Sequence, residues 1–383
     1  MLKEFYKGRR ILLTGHTGFK GSWLAEWLLM LGADLTGLAL EPPTAPALFT
    51  QLKLGSWMRD LRGDVRDRQS VADVIARYTP ELVIHMAAQP LVRLSYDIPA
   101  ETFETNVMGT VNVLDAIRAA KHPCATLVVT TDKCYENREW LHSYREEDPM
   151  GGYDPYSASK GCAELVVSAY RRSFFGADSP VALASARAGN VIGGGDWALD
   201  RIVPDCVRSL AKGETIPVRN PHATRPWQHV LEPLSGYLLL GARLLENVAG
   251  GSAFRRRPEN AAFESAFNFG PALESNKTVG HLVTEILKNW PGQWENQWRG
   301  DALHEASLLN LSTDKAYHLL GWRPRWSFEE TIAHTTRWYQ EHFENKSDVA
   351  ELTRRQIVEY SDVPEKKLTT PPTCYDSLKA YVA

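Results

Sequence analysis

The stretch ILLTGHTGFKGSWLAEWLLMLG, residues 11–32, decides the fold of this chain. An apolar run leads into three glycines, Gly15, Gly18 and Gly21, and behind them tryptophan and leucine recur at helical spacing. This order predicts a buried strand over Arg10–Thr14, then a glycine loop, then a helix. Such a loop lets the backbone approach a pyrophosphate, which the helix N-terminus attracts. A tight turn before a core helix is the alternative.

The alternation of strand and helix continues along the chain. Further strands are predicted at 33–40, 82–86 and 125–130, and helices at 70–78 and 102–120. Alternation of this kind is typical of an α/β fold of the Rossmann type, with a doubly wound parallel sheet and helices on both faces.

The composition of the sequence changes at about residue 190, where Gly, Pro, Arg and Trp become frequent. We expect residues 1–189 to form the Rossmann domain, with segments returning to it at about 226–265. Residues 190–345 are predicted to form mainly a smaller substrate-binding lobe, and 346–383 a polar tail. Ligands favour clefts between such lobes.

The bulk composition excludes several classes of protein. With 383 residues, 44% of them hydrophobic, and a formal charge of -3, the chain has a sizeable core and no general attraction for nucleic acid or anionic membranes. No apolar run approaches the roughly 20 residues of a membrane span. We therefore expect a cytoplasmic protein with neither kind of partner. The irregular spacing of the cysteines indicates neither a disulfide framework nor a metal site. They are Cys124, Cys134, Cys162, Cys206 and Cys374.

The region after the second predicted strand bears on the choice of dinucleotide. Glu41 follows Gly21 by 20 residues, the distance at which the Rossmann fold places an acid on the ribose hydroxyls. No arginine lies between Leu35 and Pro46 to hold a 2′-phosphate, so NAD is favoured over NADP. Asp64 is predicted either to contact the adenine edge or to cap a helix.

The motif YSASK places Tyr156 and Lys160 one helical turn apart, so both side chains can face one cleft. A free phenol has a pKa of about 10, and a nearby ammonium group lowers it. The pair is therefore predicted to act as a tuned acid and base. A surface pair that arose by chance is the alternative.

Taken together, GHTGFKG at 15–21, HMAAQP at 85–90, TTDKCY at 130–135 and YSASK at 156–160 resemble the extended short-chain dehydrogenase/reductases that act on nucleotide sugars. The segment STDKAYHLLGWRPRWSFEETI resembles the closing part of the same group, so the resemblance covers roughly residues 8–340.

Within that family, the triplet Thr131-Asp132-Lys133 resembles the Thr-Asp-Glu of the 4,6-dehydratases, with lysine in place of glutamate. The branch that takes CDP-glucose carries this lysine, together with GHTGFKGSWL and RNPxATRPWQHV. The resemblance therefore implies CDP-glucose as substrate and a place in deoxysugar biosynthesis. The alternatives are a nucleotide-sugar 4-epimerase, a 4,6-dehydratase for another nucleotide-glucose, and an NAD-binding regulatory protein without catalysis.

The resemblance also implies a role for each residue of the centre. Tyr156, assisted by Lys160, would remove the C4 hydroxyl proton while NAD oxidises C4, and Thr131 would hydrogen-bond the C4 oxygen. Lys133 would then take the C5 proton as Asp132 protonates the departing C6 hydroxyl, and C6 would be reduced. A salt bridge with Asp132 or Glu136 is the alternative role for Lys133.

The remaining contacts are implied by position. The NAD contacts would be Gly15, Thr17, Gly18, Phe19, Lys20, Gly21, Glu41, Asp64, Val65, Ala87, Ala88, Gln89, Tyr156 and Lys160. The substrate contacts would be Arg225 on the diphosphate, Asn190 nearer the sugar-phosphate, and Arg93, Arg201 and Arg219, of which Arg201, Arg219 and Arg225 have structural ion pairs as their alternative. His85 is expected to serve the end of its strand, whereas Trp227 and His229 are either packing residues or contacts. Relatives pair through two helices, suggested here by 102–120 and 156–170, so a homodimer is expected.

Overall fold

A parallel sheet of seven strands organises the computed structural model, which describes residues 2–298, 309–344 and 347–362. The strands of the chain are β1 (Arg10–Thr14), β2 (Asp34–Ala39), β3 (Arg59–Arg62), β4 (Leu82–His85), β5 (Cys124–Val129), β6 (Val181–Ala188), β7 (Val191–Ile192), β8 (Ile216–Val218), β9 (Thr224–Pro226), β10 (Gln228–His229), β11 (Ala266–Phe269), β12 (Asn276–Thr278) and β13 (Trp294–Asn296). The main sheet has the order β11-β6-β5-β4-β1-β2-β3, with every neighbouring pair parallel. This is the doubly wound order of dinucleotide-binding folds with one more strand, and it confirms the predicted fold class.

Helices cover both faces of this sheet. They are α1 (Leu2–Tyr6), α2 (Phe19–Met30), α3 (Leu48–Gln51), α4 (Arg68–Tyr78), α5 (Val92–Asp97), α6 (Pro99–Phe103), α7 (Gly109–Ala120), α8 (Pro155–Ser173), α9 (Ile202–Lys212), α10 (Leu231–Arg255), α11 (Pro258–Ala261), α12 (Val279–Asn289), α13 (Asp314–Leu320), α14 (Phe328–Phe343) and α15 (Val349–Asp362). Short 3-10 turns occur at Leu54–Ser56, Asp132–Cys134 and Leu273–Ser275.

Alternating side chains of the strands pack into two separate hydrophobic cores, one on each face of the sheet. In β1, Ile11 and Leu13 belong to the core that contains Trp23 of α2, whereas Leu12 belongs to the core that contains Val113 of α7. A strand with period-two alternation buries both of its faces when helices cover both sides of the sheet. The near-continuous apolar runs of the predicted strands have this origin.

The predicted elements agree with the structure apart from their ends and one helix. The helix predicted at 102–120 is interrupted, because a π-helical turn at Glu104–Met108 separates α6 from α7. β3 was not predicted, since its sequence RDLR has no apolar periodicity. β6 was not predicted either, although all eight of its residues are buried.

Several late segments of the chain pack on the main sheet. α10 packs against β5 and β6, and β11 pairs with β6. Three two-stranded sheets, β7 with β10, β8 with β13 and β9 with β12, belong to the region after β6. The division into domains at 189 and 345 stays a prediction.

The last described helix, α15, packs on α14 and on the first long helix, α2. Arg354 of α15 donates to the buried carboxylate of Glu26 in α2 at 2.5 Å, and the Tyr360 and Trp27 rings meet edge to face. Most of the predicted tail, including Cys374, lies outside the described residues. The cysteines Cys124, Cys134, Cys162 and Cys206 are free thiols. Across the described residues, no helix combines the length and apolar character that a bilayer crossing requires.

Candidate active site

A cleft of about 960 Å³ opens at the carboxyl ends of the central strands. Open α/β sheets bind their ligands at this edge. The predicted site residues that line it are Gly15, Thr17, Gly18, Phe19, Lys20, Gly21, Glu41, Asp64, Val65, Ala87, Ala88, Arg93, Thr131, Asp132, Lys133, Tyr156, Lys160, Asn190, Arg201, Arg219 and Arg225. Gln89 is the one predicted site residue that does not line the cleft.

The three glycines of the loop differ in what an added Cβ would meet. Gly15 adopts a φ of +77°, and a Cβ there would lie 2.8 Å from the Ala87 amide nitrogen. A Cβ on Gly21 would lie 2.1 Å from the Gly15 carbonyl oxygen, so the helix packs directly on the loop. A Cβ on Gly18 would meet only that oxygen, at 3.5 Å. Gly18 is thus not required by the protein's own packing.

The start of α2 suits an anionic group. Gly18 is the N-cap residue and provides no side-chain cap, so the amides of the first helical turn have no side-chain acceptor there. Amides at a helix N-terminus, together with a glycine open to the cleft, form a cradle for a pyrophosphate. The loop therefore fits a bound dinucleotide.

Arg62, at the end of β3, contacts Glu41, the acidic residue predicted to bind the ribose hydroxyls. The exposed Glu41 carboxylate accepts an ion pair from Arg62 Nε at 3.2 Å, and Arg62 also pairs with Asp60 at 3.0 Å. His16, the second residue of the loop, is fully buried and lies 2.7 Å from Asp60. Arg62 lies at the end of β3, outside the stretch 35–46 whose lack of arginine was the basis of the sequence prediction.

Asp64 lines the cleft and does not cap the helix that follows it. The cap of α4 is Asp67, whose side chain accepts from the Gln69 and Ser70 amides. Asp64 accepts instead from the Arg66 amide and from Arg66 Nε, both at 2.8 Å. Partial burial opposes its ionisation, but Arg66 holds the pKa of the Asp64 carboxyl below its usual value. The helix-cap alternative is therefore wrong for Asp64.

Gln89 and His85 both serve the local backbone structure. The Gln89 amide group donates to the Leu91 carbonyl and to Thr102 Oγ1, at 3.1 and 3.0 Å. His85 lies 2.8 Å from Thr14 Oγ1 through Nδ1, at the paired ends of β4 and β1. Burial, with a smaller contribution from the Lys160 charge, lowers the pKa of His85 to about 3. His85 is thus a neutral residue of the strand end, as expected.

The triplet Thr131, Asp132 and Lys133 forms a turn directly after β5. Thr131 caps this turn and donates to Asp132 Oδ1 at 2.9 Å. Lys133 Nζ lies 3.9 Å from Asp132 Oδ1 and 3.4 Å from Asn190 Oδ1. The structure therefore brings an acid and an amine together within the cleft, beside Asn190. The ion pair with Asp132 proposed as the alternative role of Lys133 is present at this longer distance.

Tyr156 and Lys160 lie on the first turns of α8, which Asp154 caps by accepting from the Ser157 amide. Lys160 is buried, and its Nζ donates to the Val129 carbonyl at 3.5 Å. Burial lowers the pKa of Lys160 to about 8, although the Glu164 charge opposes this shift.

The predicted lowering of the Tyr156 pKa is wrong for the ligand-free protein. Burial raises the pKa of Tyr156 to about 12, and the Asp132 charge adds to this effect. The Thr131 side chain and the Arg201 charge act in the opposite direction. The nearby lysine led to the expectation of a lower pKa, but burial has the larger effect.

Lys20, predicted as a cofactor contact, also belongs to the centre of the cleft. Its Nζ donates to the Tyr237 hydroxyl at 2.8 Å and lies 4.9 Å from the centre of that ring. Burial and then the Lys160 charge lower the pKa of Lys20 to about 7, against the opposing charge of Asp132. Tyr237 was missed, because it lies on α10, more than 200 residues along the chain.

The predicted substrate arginines line the mouth of the cleft with acidic partners. Arg201 donates to Asp196 at 2.8 Å. Arg219 pairs with Asp200 at 2.7 Å, and Arg93 lies 4.0 Å from the same carboxylate. The ion pairs proposed as the alternative for Arg201 and Arg219 are therefore present, within the cleft itself.

Arg225 and Trp227 come from the segment around β9. Arg225 donates to the Thr224 carbonyl at 2.8 Å. Trp227 is buried and donates to the Lys277 carbonyl at 2.9 Å, although part of it lines the cleft. His229 is fully buried between the rings of Trp23 and Trp326 and is a packing residue.

Comparison with known proteins agrees with this geometry. The model of the family described as GDP-mannose 4,6 dehydratase matches residues 12–335. A CDP-glucose 4,6-dehydratase of Salmonella typhimurium is 47% identical over 365 residues, covering 94% of this chain and 98% of that protein.

Solved structures show the same fold. A dTDP-glucose 4,6-dehydratase from Streptomyces venezuelae with NAD bound is 25% identical, with a TM-score of 0.70 over 87% of this chain and 97% of that one. An epimerase from Methanothermobacter thermautotrophicus, 22% identical, has a TM-score of 0.71 over 92% and 96% of the two chains, so the fold alone does not separate the two activities. With the family model covering most of its length and a relative nearly half identical from end to end, the chain belongs to the GDP-mannose 4,6 dehydratase family.

Proposed function

We propose that this chain converts CDP-glucose to CDP-4-keto-6-deoxy-glucose, with NAD as a bound cofactor. The observation that carries the proposal is the meeting of Thr131, Asp132 and Lys133 with Tyr156 and Lys160 in one cleft. The relative that is 47% identical along its whole length has the name of this activity. Oxidation alone needs only the tyrosine and lysine, whereas the acid and amine beside them supply an elimination.

The residues present fit NAD. Gly15, Gly18 and Gly21 with the start of α2 would hold the pyrophosphate, and Glu41 the ribose hydroxyls. Asp64, which lines the same cleft, would contact the adenine. When bound, NAD supplies a two-electron acceptor and donor for the sugar.

The first task of the protein is to take a proton from the C4 hydroxyl. Tyr156 is the base for this step, and the Thr131 hydroxyl would hydrogen-bond the C4 oxygen. Because burial opposes the phenolate, the hydrogen bond to the Thr131 side chain and the charge of Arg201 are the nearby interactions that favour it. Lys160, with a pKa of about 8, holds its position under the end of β5 through the Val129 carbonyl.

The second task is the elimination of water. A ketone at C4 acidifies the C5 proton, which passes to the neutral amine of Lys133. The electron pair of the C5–H bond forms the C5–C6 double bond, and the C6 hydroxyl leaves as water with the proton of Asp132. Lys133 Nζ lies 3.9 Å from Asp132 Oδ1, so both groups can reach one bound sugar. The Lys133 ammonium later returns a proton to C5 as C6 is reduced.

The diphosphate needs local cations, because the chain has a net charge of -3. Arg225, Arg201, Arg219 and Arg93 line the same cleft, and guanidinium groups match phosphate oxygens in pairs. Asn190, 3.4 Å from Lys133, would contact the sugar-phosphate.

A comparison of three substrates tests the proposal. The protein is incubated separately with CDP-, UDP- and dTDP-glucose, and the product is followed by its alkaline absorbance and by the loss of one water in its mass. We expect a 4-keto-6-deoxy product, formed fastest from CDP-glucose. A galacto product that keeps its C6 hydroxyl would instead support the 4-epimerase. Bound NAD with no turnover of any of the three would support the regulatory protein.

A homodimer and a cytoplasmic location are part of the same proposal. The two helical regions predicted to pair expose large apolar side chains, among them Phe103 (37%), Met108 (50%) and Leu165 (60%). Pairing of two chains through these faces would cover them.

A further inference from the structure

A buried ion pair lies behind the segment 130–135, which contains the acid and the amine of the proposed elimination. Glu164 of α8 and Arg187 of β6 meet at 2.8 Å between Oε2 and Nη2, with side chains only 3% and 6% exposed. Burial opposes both charges, but each partner, with its hydrogen bonds, keeps the other ionised: the pKa of Glu164 is lowered and that of Arg187 raised.

The glutamate holds one end of this segment. Thr130 donates its hydroxyl to Glu164 Oε1 at 2.5 Å, and Thr130 directly precedes the triplet at 131–133. Glu164 lies one helical turn after Lys160 on α8. One carboxylate therefore joins the helix of Tyr156 and Lys160 to the residue from which the triplet begins.

The arginine holds the other end. Arg187 Nη1 donates to the Tyr135 hydroxyl at 2.7 Å and to the Glu146 carbonyl at 2.9 Å. The Tyr135 hydroxyl in turn donates to Asn268 Oδ1 at 2.8 Å. Tyr135 follows Lys133 by two residues, so the ion pair fixes the segment on both sides of the triplet.

Stability alone is a weak reason for such a pair. The desolvation of two buried charges largely offsets their attraction, and apolar replacements of similar volume are often as stable. Catalysis gives a stronger reason, because a misplacement of about 1 Å can cost about a hundredfold in rate. In the proposed reaction, one bound sugar is oxidised at C4 and loses water across C5 and C6. The side chains of Asp132 and Lys133 must therefore keep a fixed distance from those of Tyr156 and Lys160.

We propose that Glu164, with Arg187, is a positioning residue that sets the place of Asp132 and Lys133 relative to Tyr156 and Lys160. This inference rests on the proposed function. It predicts that loosening the Thr130 link slows the elimination more than the oxidation at C4, because the oxidation uses Thr131 but neither Asp132 nor Lys133.

Thr130→Val is the test variant, since it removes the hydroxyl and keeps the shape. Ser185→Ala is its matched control: Ser185 donates to the same carboxylate, to Oε2 at 2.8 Å, but from β6 and without a link to the segment. Thr130→Ser is the rescue, because it restores the hydroxyl. All three keep the buried ion pair, which avoids the misfolding expected when one charge is removed.

Two substrates separate the two reactions. CDP-glucose reports the whole sequence, and CDP-6-deoxyglucose reports oxidation at C4 alone, because it has no C6 hydroxyl to lose. We expect Thr130→Val to form the 4-keto-6-deoxy product at least about tenfold more slowly, with a smaller loss in the rate at which it oxidises the analogue. Thr130→Ser and Ser185→Ala are expected to behave as the wild type with both substrates.

Amide hydrogen exchange of residues 131–135 gives a readout that does not depend on activity. It should become faster in Thr130→Val and not in Ser185→Ala, although both lose one hydrogen bond to the same carboxylate. The inference is overturned if both variants slow the elimination alike, if both reactions slow by the same factor in Thr130→Val, or if neither slows. If the wild type makes no keto product from any nucleotide-glucose, the proposed function fails, and the exchange comparison still decides whether Glu164 positions the segment.

Discussion

The three glycines of the loop should respond differently when each gains one methyl group. In Gly21→Ala the new carbon would lie 2.1 Å from the Gly15 carbonyl oxygen, whereas ordinary contact begins near 3.4 Å, so the helix start must move by about 1.3 Å. Overpacking of this kind costs about 1–3 kcal/mol. Gly21→Ala is therefore expected to lose stability whether or not a cofactor is present.

Gly18→Ala is expected to fold normally and to bind NAD poorly. The new carbon would lie 3.5 Å from the same oxygen, an ordinary contact, and the φ of -74° suits alanine. Replacement of glycine by alanine at an N-cap costs at most about 1 kcal/mol. The methyl group would occupy the space where a pyrophosphate approaches the helix, so we expect the Kd to rise at least about tenfold, or about 1.4 kcal/mol.

Calorimetric titration of the cofactor-free protein with NAD and unfolding in urea measure the two quantities separately. Gly176→Ala is the matched control, because a Cβ on this exposed glycine would meet nothing within 4 Å. If Gly18→Ala binds NAD as tightly as the wild type, the open side of the loop does not face the pyrophosphate. The motif would then be the tight turn that was its alternative interpretation.

Three further predictions concern the proposed centre, the core and the surface. Lys133→Met should still oxidise CDP-6-deoxyglucose but form the 4-keto-6-deoxy product from CDP-glucose about 10²–10⁴-fold more slowly. Deuterium incorporation at C5 measures the lost step, and incorporation at the wild-type rate would contradict the role of this amine. Burial raises the pKa of Glu232 from 4.5 to about 7, so the folded state holds its proton more tightly and stability falls as pH rises through that range. The unfolding free energy of the wild type relative to Glu232→Gln should therefore drop by about 3 kcal/mol between about pH 4.5 and pH 8, and a constant difference would refute the assignment. The double variant Met108→Glu with Leu165→Glu should sediment as a monomer. The control Leu141→Glu, which changes a loop residue that is 89% exposed, should remain a dimer. Unchanged sedimentation of the double variant would rule out this interface.

Local patterns made the framework of the site predictable. The loop at 15–21, the triplet at 131–133 and the pair in YSASK each place their chemistry within a few residues, and all of them line one cleft. Parallel strands end at a common edge, so motifs that follow different strands meet without any information beyond the strand order.

The partners of those residues were not predictable, because the fold brings them from far along the chain. Arg62 reaches Glu41 from a neighbouring strand, and Tyr237 reaches Lys20 across 217 residues. The pKa of Tyr156 could not be inferred from a nearby lysine, since its shift depends on how deeply the phenol is buried.

The contact between α15 and α2 limits where this protein can be truncated. The family match ends at residue 335, yet α15, at 349–362, provides the guanidinium that neutralises the buried Glu26 on the back of the glycine-loop helix. Truncation at the family boundary would leave that carboxylate without its charge partner and would uncover Trp27. The damage would appear at the opposite end of the chain, in the helix that begins at the dinucleotide cradle. The boundary of the family model and the boundary of the smallest foldable unit are therefore different places in this protein.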